Sequence, residues 1–191
     1  MTRTVSTALA PSSQSLRSFY VLRGVIAFAW VASAAVAGVR NPVAGALFLA
    51  VYAAWDAIAN VIDGQRSGGL ARNQGQLVNV LISSAAALGM AAGVVAGLRL
   101  SVSVFGAWAL VAGLLQLAVG LRRRGAAKGQ VFMILSGAQS ALAGGFFLKL
   151  GLSGAAGLSQ LIPYAAFGGV YFLLAALALS LNGKRTAAAA A

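Results

Sequence analysis

Six apolar runs, each close to the roughly 20 residues that span a hydrocarbon core, decide what this chain can become. They fall at about 18–39, 43–62, 76–98, 101–121, 130–150 and 159–181, with short polar breaks between them. In lipid every backbone N–H and C=O must find a partner inside the protein, and a helix provides one within its own segment. The spacing therefore predicts an all-α, polytopic membrane protein with six transmembrane helices. A water-soluble globule is excluded on composition. Hydrophobic residues make up 60% of the chain and charged residues 8%, with mean hydropathy +0.89. A soluble domain carries about a quarter charged residues because its surface faces water.

The breaks carry turn chemistry. Arg40-Asn41-Pro42 reads as a turn, with Pro42 suited to the first position of the next helix. Asp63 to Gln74 reads as a polar loop with Gly64, Gly68 and Gly69, and Arg99-Leu100 as a very tight turn. Arg122 to Gly129 is a basic loop, and Gly151 to Gly157 a Gly/Ser loop. Residues 1–17 are polar and small, without the compact apolar core of a secretory signal. They are expected to form a cytoplasmic N-terminal tail. The transmembrane domain covers 18–182. Residues 183–191 end in five alanines and are expected to form a disordered cytoplasmic C-terminal tail.

Lys and Arg counts set the orientation. With the N-terminus inside, one side holds Arg3, Arg17, Arg66, Arg72, Arg122, Arg123, Arg124, Lys128, Lys184 and Arg185. The other holds only Arg40, Arg99 and Lys149. Cytoplasmic loops carry the excess of positive charge, so both termini are expected in the cytoplasm of a bacterium and the helices in its plasma (inner) membrane. The net charge of +12 is read as this topology signal and as contact with anionic lipids at the inner basic loops. Nucleic-acid binding is not expected, because the basic residues sit between apolar runs and not along a basic arm.

The chain repeats itself. Asp63-Gly64-Gln65-Arg66, Val119-Gly120-Leu121-Arg122 and Asn182-Gly183-Lys184-Arg185 close the even-numbered helices alike. An aromatic residue, Tyr52, Trp108 or Tyr171, stands twelve residues before each glycine. Three helical hairpins, at about 18–66, 76–122 and 130–183, are the simplest reading. Small residues let helix backbones approach in lipid. Gly89, Gly93 and Gly97 line one face of the third helix, and Gly106, Gly113 and Gly120 recur every seven residues on the fourth. These are candidate touching faces of the second hairpin.

Two charges fall inside the predicted membrane. Arg23 lies about 9 Å in from Arg17 at helical rise, and Asp56 about 10 Å in from Asp63 on the antiparallel neighbour. Their heights match, so a salt bridge with a two-pronged arginine fork is expected. Tyr52, Asp56 and Asn60 stand at i, i+4 and i+8 and form one polar stripe. Asn79 and Ser83, then Ser136, Gln139 and Ser140, add polar faces on the third and fifth helices. An intramembrane charge is expensive and marks function by default. Three readings stay open: a staple between helices, a proton or small-solute path through Asp56, and Arg23 snorkelling alone to the headgroups.

Catalysis is poorly served by these residues. With no Cys or His and only two acidic side chains, no catalytic, cofactor-binding or metal-ligating residue is assigned and no cofactor is expected. The chain is expected not to be an enzyme.

Leu22-Arg23-Gly24-Val25-Ile26-Ala27, then Asn41-Pro42, then Tyr52 and Asp56, resemble the repeat of the HdeD-like short-repeat bacterial membrane proteins. The resemblance is strongest over residues 20–66. The family's usual Asp-Gly is Asp56-Ala57 here, and the second and third repeats lack the Arg and the Asp. The resemblance implies six spans in hairpin repeats and a role in acid or envelope stress tolerance, with most members having no assigned activity. Two other expectations stand beside it: a small channel or transporter for protons or a small solute, and an accessory or lipid-binding membrane scaffold. The lipid bilayer, a homo-oligomer or a membrane partner are the expected company.

Overall fold

A computed structural model describes residues 13–123, 130–155 and 157–189, with side chains over 15–118, at 121, and over 134–155 and 157–181. All regular structure among these residues is helical. The helices are α1 (Ser13–Ser33), α2 (Pro42–Arg66), α3 (Gln74–Ala96), α4 (Leu98–Arg123), α5 (Gln130–Ser153) and α6 (Ile162–Ala189). A π-helical segment, Ala34–Gly38, continues α1, and single 3₁₀ turns lie at Leu70–Arg72 and Leu158–Gln160. Among the described residues, five helices are long and apolar enough to cross a membrane: Ser15–Gly38, Pro42–Arg66, Gln74–Ala96, Leu98–Ala118 and Leu158–Leu181. The remaining helix, α5, runs antiparallel along α4.

Local chemistry explains the ends. The Asn41 side chain accepts hydrogen bonds from the backbone N–H of Val43 (2.9 Å) and Ala44 (3.1 Å), and Pro42 opens α2. This cap satisfies donors that the first helical turn leaves free. The turn expected at Arg99-Leu100 instead falls at Gly97, with φ +98°. Only glycine takes that conformation without strain, so Arg99 and Leu100 already belong to α4. Asp63 is likewise helical, because α2 runs on to Arg66, and Asn73 ties the following loop by donating to the carbonyls of Ser67 (2.8 Å) and Gly69 (2.9 Å). Residues 13–17 and 183–189, expected in tails, continue α1 and α6. Alanine is the strongest helix former, so Ala187 to Ala189 prolong α6. The basic loop lies almost wholly outside the described residues, and Gly120 lies outside those with described side chains.

Packing departs from the expected hairpins. The most extensive contacts join α4 to α5, then α2 to α3, then α1 to α6, while α1 meets α2 and α5 meets α6 only sparingly. Each even helix thus packs hardest on the next odd one, and α6 closes back on α1. Side-chain bulk is the reason. The facing surfaces of α1 and α2 carry Phe19, Arg23, Trp30 and Tyr52, which hold the backbones apart. Between α4 and α5 the facing residues are glycines. Gly106 meets the backbone at Phe147-Leu148, Gly113 at Ser140-Ala141, Gly137 at Leu117, Gly144 at Ala109-Leu110 and Gly151 at Ser103. A Cβ at any of these would run into the partner backbone.

The glycine faces need correcting accordingly. Gly89 and Gly93 do face α4, at Val104 and Ser101, but Gly97 is the turn residue, where an added Cβ would meet nothing within 4 Å. Gly106 and Gly113 pack on α5, not on α3. The core is built on Phe105, whose ring meets Tyr52, Trp108, Phe147 and Tyr164 at centroid distances of 5.9, 5.3, 5.9 and 5.5 Å. Large apolar side chains also point outward, among them Val95, Leu142, Val36 and Leu88. Lipid tolerates that exterior, and water does not.

Candidate functional site

Arg23 on α1 reaches across the thinly packed seam to Asp56 on α2, with Nη2 donating to Oδ1 at 2.5 Å. The second carboxylate oxygen is already committed. Oδ2 accepts from the Asn60 amide at 3.0 Å and from the Ser83 hydroxyl of α3 at 2.9 Å. The arginine fork expected from sequence is therefore a single-pronged bond, because Asn60 and Ser83 hold the other prong's acceptor. Ser83 in turn accepts from the Trp108 indole N–H of α4 at 3.0 Å. One carboxylate thereby links α1, α2 and α3 directly and α4 through a hydroxyl.

The guanidinium is held on its other side by rings. Its carbon lies 4.2 Å from the Phe172 centroid on α6 and 6.0 Å from that of Phe19. The Arg23 Nε is buried with no hydrogen-bond partner among the described residues. A cation over an aromatic face gains about 0.5–2 kcal/mol, which offsets part of that loss. The side chains of Arg23 and Asp56 keep 16% and 22% exposure.

Of the polar stripe, Asn60 joins the network, donating also to the Asp56 carbonyl at 2.8 Å. Tyr52 does not. Its ring belongs to the aromatic core, 5.0 Å from Trp30 and 6.0 Å from Trp108. Two smaller polar bridges cross to α6. Tyr171 donates to Gln139 at 2.6 Å, and Tyr164 shares a 2.8 Å bond with Ser140, which donates to the Ala109 carbonyl at 3.1 Å. The other acidic residue, Asp63, accepts from Gln76 at 2.8 Å.

Sequence reading missed that Ser83 and Trp108 complete the network and that Phe172 covers the arginine. Ser83 was visible as a polar residue in an apolar helix, and a buried indole N–H wants an acceptor, so those two carried a signal. Phe172 carried none. Among the described residues no three His, Cys, Asp or Glu side chains gather as metal ligands. A shallow groove of about 200 Å³ lined by Ala44, Leu47, Phe48 and Val51 lies on α2 beyond Tyr52, without a polar lining residue. Compared with protein-family models, curated proteins and solved structures, the chain matches none.

Chemically, the arrangement does one thing well. It saturates a lone carboxylate with donors from two neighbouring helices and its own. Each hydrogen bond to a charged group contributes about 1.5–3 kcal/mol, and leaving any of these groups unpaired in lipid is expensive.

Proposed function

We propose that this chain is a non-enzymatic, multi-pass membrane protein of the HdeD-like type, supporting acid or envelope stress tolerance from the bacterial inner membrane. Both termini face the cytoplasm. The Arg23–Asp56 pair is its fixed polar centre, a staple joining helices whose backbones scarcely touch. One observation carries the staple reading: both oxygens of Asp56 are occupied, by Arg23 on one side and by Asn60 and Ser83 on the other. A group that relays protons or binds a solute needs a free face toward the path, and this carboxylate offers little.

A small proton channel or transporter is the second reading. It is favoured by the residual exposure of the pair, 16% and 22%. The two readings part in liposomes containing purified protein and an internal pH dye. The staple reading expects no proton flux above empty liposomes. Flux that disappears in a folded Asp56→Asn variant would make the pair part of a conduction path. In cells, a strain lacking the protein should survive acid challenge less well and recover with the wild-type chain. Equal survival would remove the stress role.

A further inference from the structure

We propose that the arginine-rich end of the α1–α2 seam binds an anionic phospholipid, with the headgroup phosphate on Arg66 and one acyl chain lying along the outside of the seam beside Ile62 and Trp55. The proposal rests on the membrane location proposed above.

Arg66 is the last residue of α2, and its guanidinium carbon stands 5.3 Å from the ring centroid of Phe19, which is 3% exposed on α1. The ring lies beside the guanidinium, and the Arg66 side chain is otherwise exposed. No carboxylate among the described residues pairs with it. The chain has two acidic side chains in all. Asp56 is held by Arg23, Asn60 and Ser83, and Asp63, one turn before Arg66, turns to Gln76. Neither acidic side chain of the protein is therefore available to Arg66 as a counter-ion. An arginine fork presents parallel donors suited to phosphate oxygens.

The seam supplies the place for a tail. Backbone contact between α1 and α2 is sparse; the side chains of Phe19, Arg23 and Trp30 cross the seam, and part-exposed apolar residues stand beside them. Ile62 and Trp55 stand four and eleven residues before Arg66, on its face of α2. Leu22 and Ile26 stand three and seven residues after Phe19, on its face of α1. All four keep some exposure, with Leu22 at 44%. A phosphate at the helix end and an acyl chain beside Ile62 and Trp55 would match the depth order of a phospholipid. A basic residue at an anionic surface favours such lipids by about fivefold.

Trp55 makes the test direct, because bromine on an acyl chain quenches a neighbouring indole. The protein is reconstituted with brominated phosphatidylglycerol or brominated phosphatidylcholine. The anionic lipid should quench at about fivefold lower mole fraction. Trp55→Phe should abolish the saturable part of the quenching. Arg66→Gln should erase the preference, Arg66→Lys should keep part of it, and Arg40→Gln at the opposite end should leave it intact. Each variant is checked for an unchanged melting temperature in phosphatidylcholine alone. Equal quenching by the two lipids, or a preference that survives Arg66→Gln, overturns the site. Inorganic phosphate at millimolar concentration that removes the preference would mark a phosphate site without a lipid, and also overturns it. A protein that stays monodisperse without detergent would instead refute the membrane reading on which the proposal rests.

Discussion

Asp56→Asn, taken with Arg23→Gln and the double variant, tests whether the polar centre holds the helices together. The substitution removes the charge and keeps the shape. It also puts an amide N–H₂ where one carboxylate oxygen was, so one existing donor meets a donor. Breaking one side of a fully buried pair costs about 3–5 kcal/mol. Arg23 and Asp56 retain 16% and 22% exposure, so screening lowers the cost, and about 2–3 kcal/mol is expected for each single variant. For a chain of this size each kcal/mol moves the melting temperature by about 2–4 °C, which gives a drop of about 4–12 °C. The double variant removes both charges and should lose less than the two singles together, by at least about 1 kcal/mol. Thermal unfolding in mild detergent, followed by tryptophan fluorescence, reads this out, since the Trp108 indole is bonded to the network through Ser83. An unchanged melting temperature, or losses that add to within about 0.5 kcal/mol, would refute the staple.

The α4–α5 contact predicts a sharp difference between adjacent glycines. Gly144→Val drives a side chain into the backbone of Ala109-Leu110 and should cost more than about 3 kcal/mol or block folding, whereas Gly145→Ala, with nothing within 4 Å, should leave the melting temperature within about 2 °C. Equal effects at the two positions would mean that α4 and α5 do not meet this way. A reporter fused after Arg185 should be active only if it functions in the cytoplasm; periplasmic activity would break the proposed orientation.

The helical class was readable because a run of apolar residues of membrane length admits few other structures. The ion pair was readable for a similar reason. Two charges at matching depth on consecutive antiparallel helices have little choice of partner in lipid. What could not be read was which helices press together. Gly106 and Gly113 announce a close approach without saying to what, and the chain held the answer in Gly137, Gly144 and Gly151, which recur at the same seven-residue interval on α5. The sparse α1–α2 contact was hidden because a short connection constrains proximity and not intimacy; the bulk of Trp30 and Tyr52 decides that. Tyr52 was placed in the polar stripe by its spacing, yet an aromatic ring gains more from Trp30, Phe105 and Trp108 than its hydroxyl would gain beside Asp56.

The closure of α6 onto α1 has a consequence for synthesis. Of the six helices, α1 has the neighbour most distant in chain order as its principal one. Until α6 is inserted, Gly24 and Ala27 lack the Leu173 and Gly169 surfaces they pack against, and the Arg23 guanidinium lacks the Phe172 ring above it. A chain without α6 therefore leaves the Arg23 guanidinium bonded to Asp56 but without its covering ring. That uncovered charge distinguishes a molecule in which α6 has not docked from one in which it has.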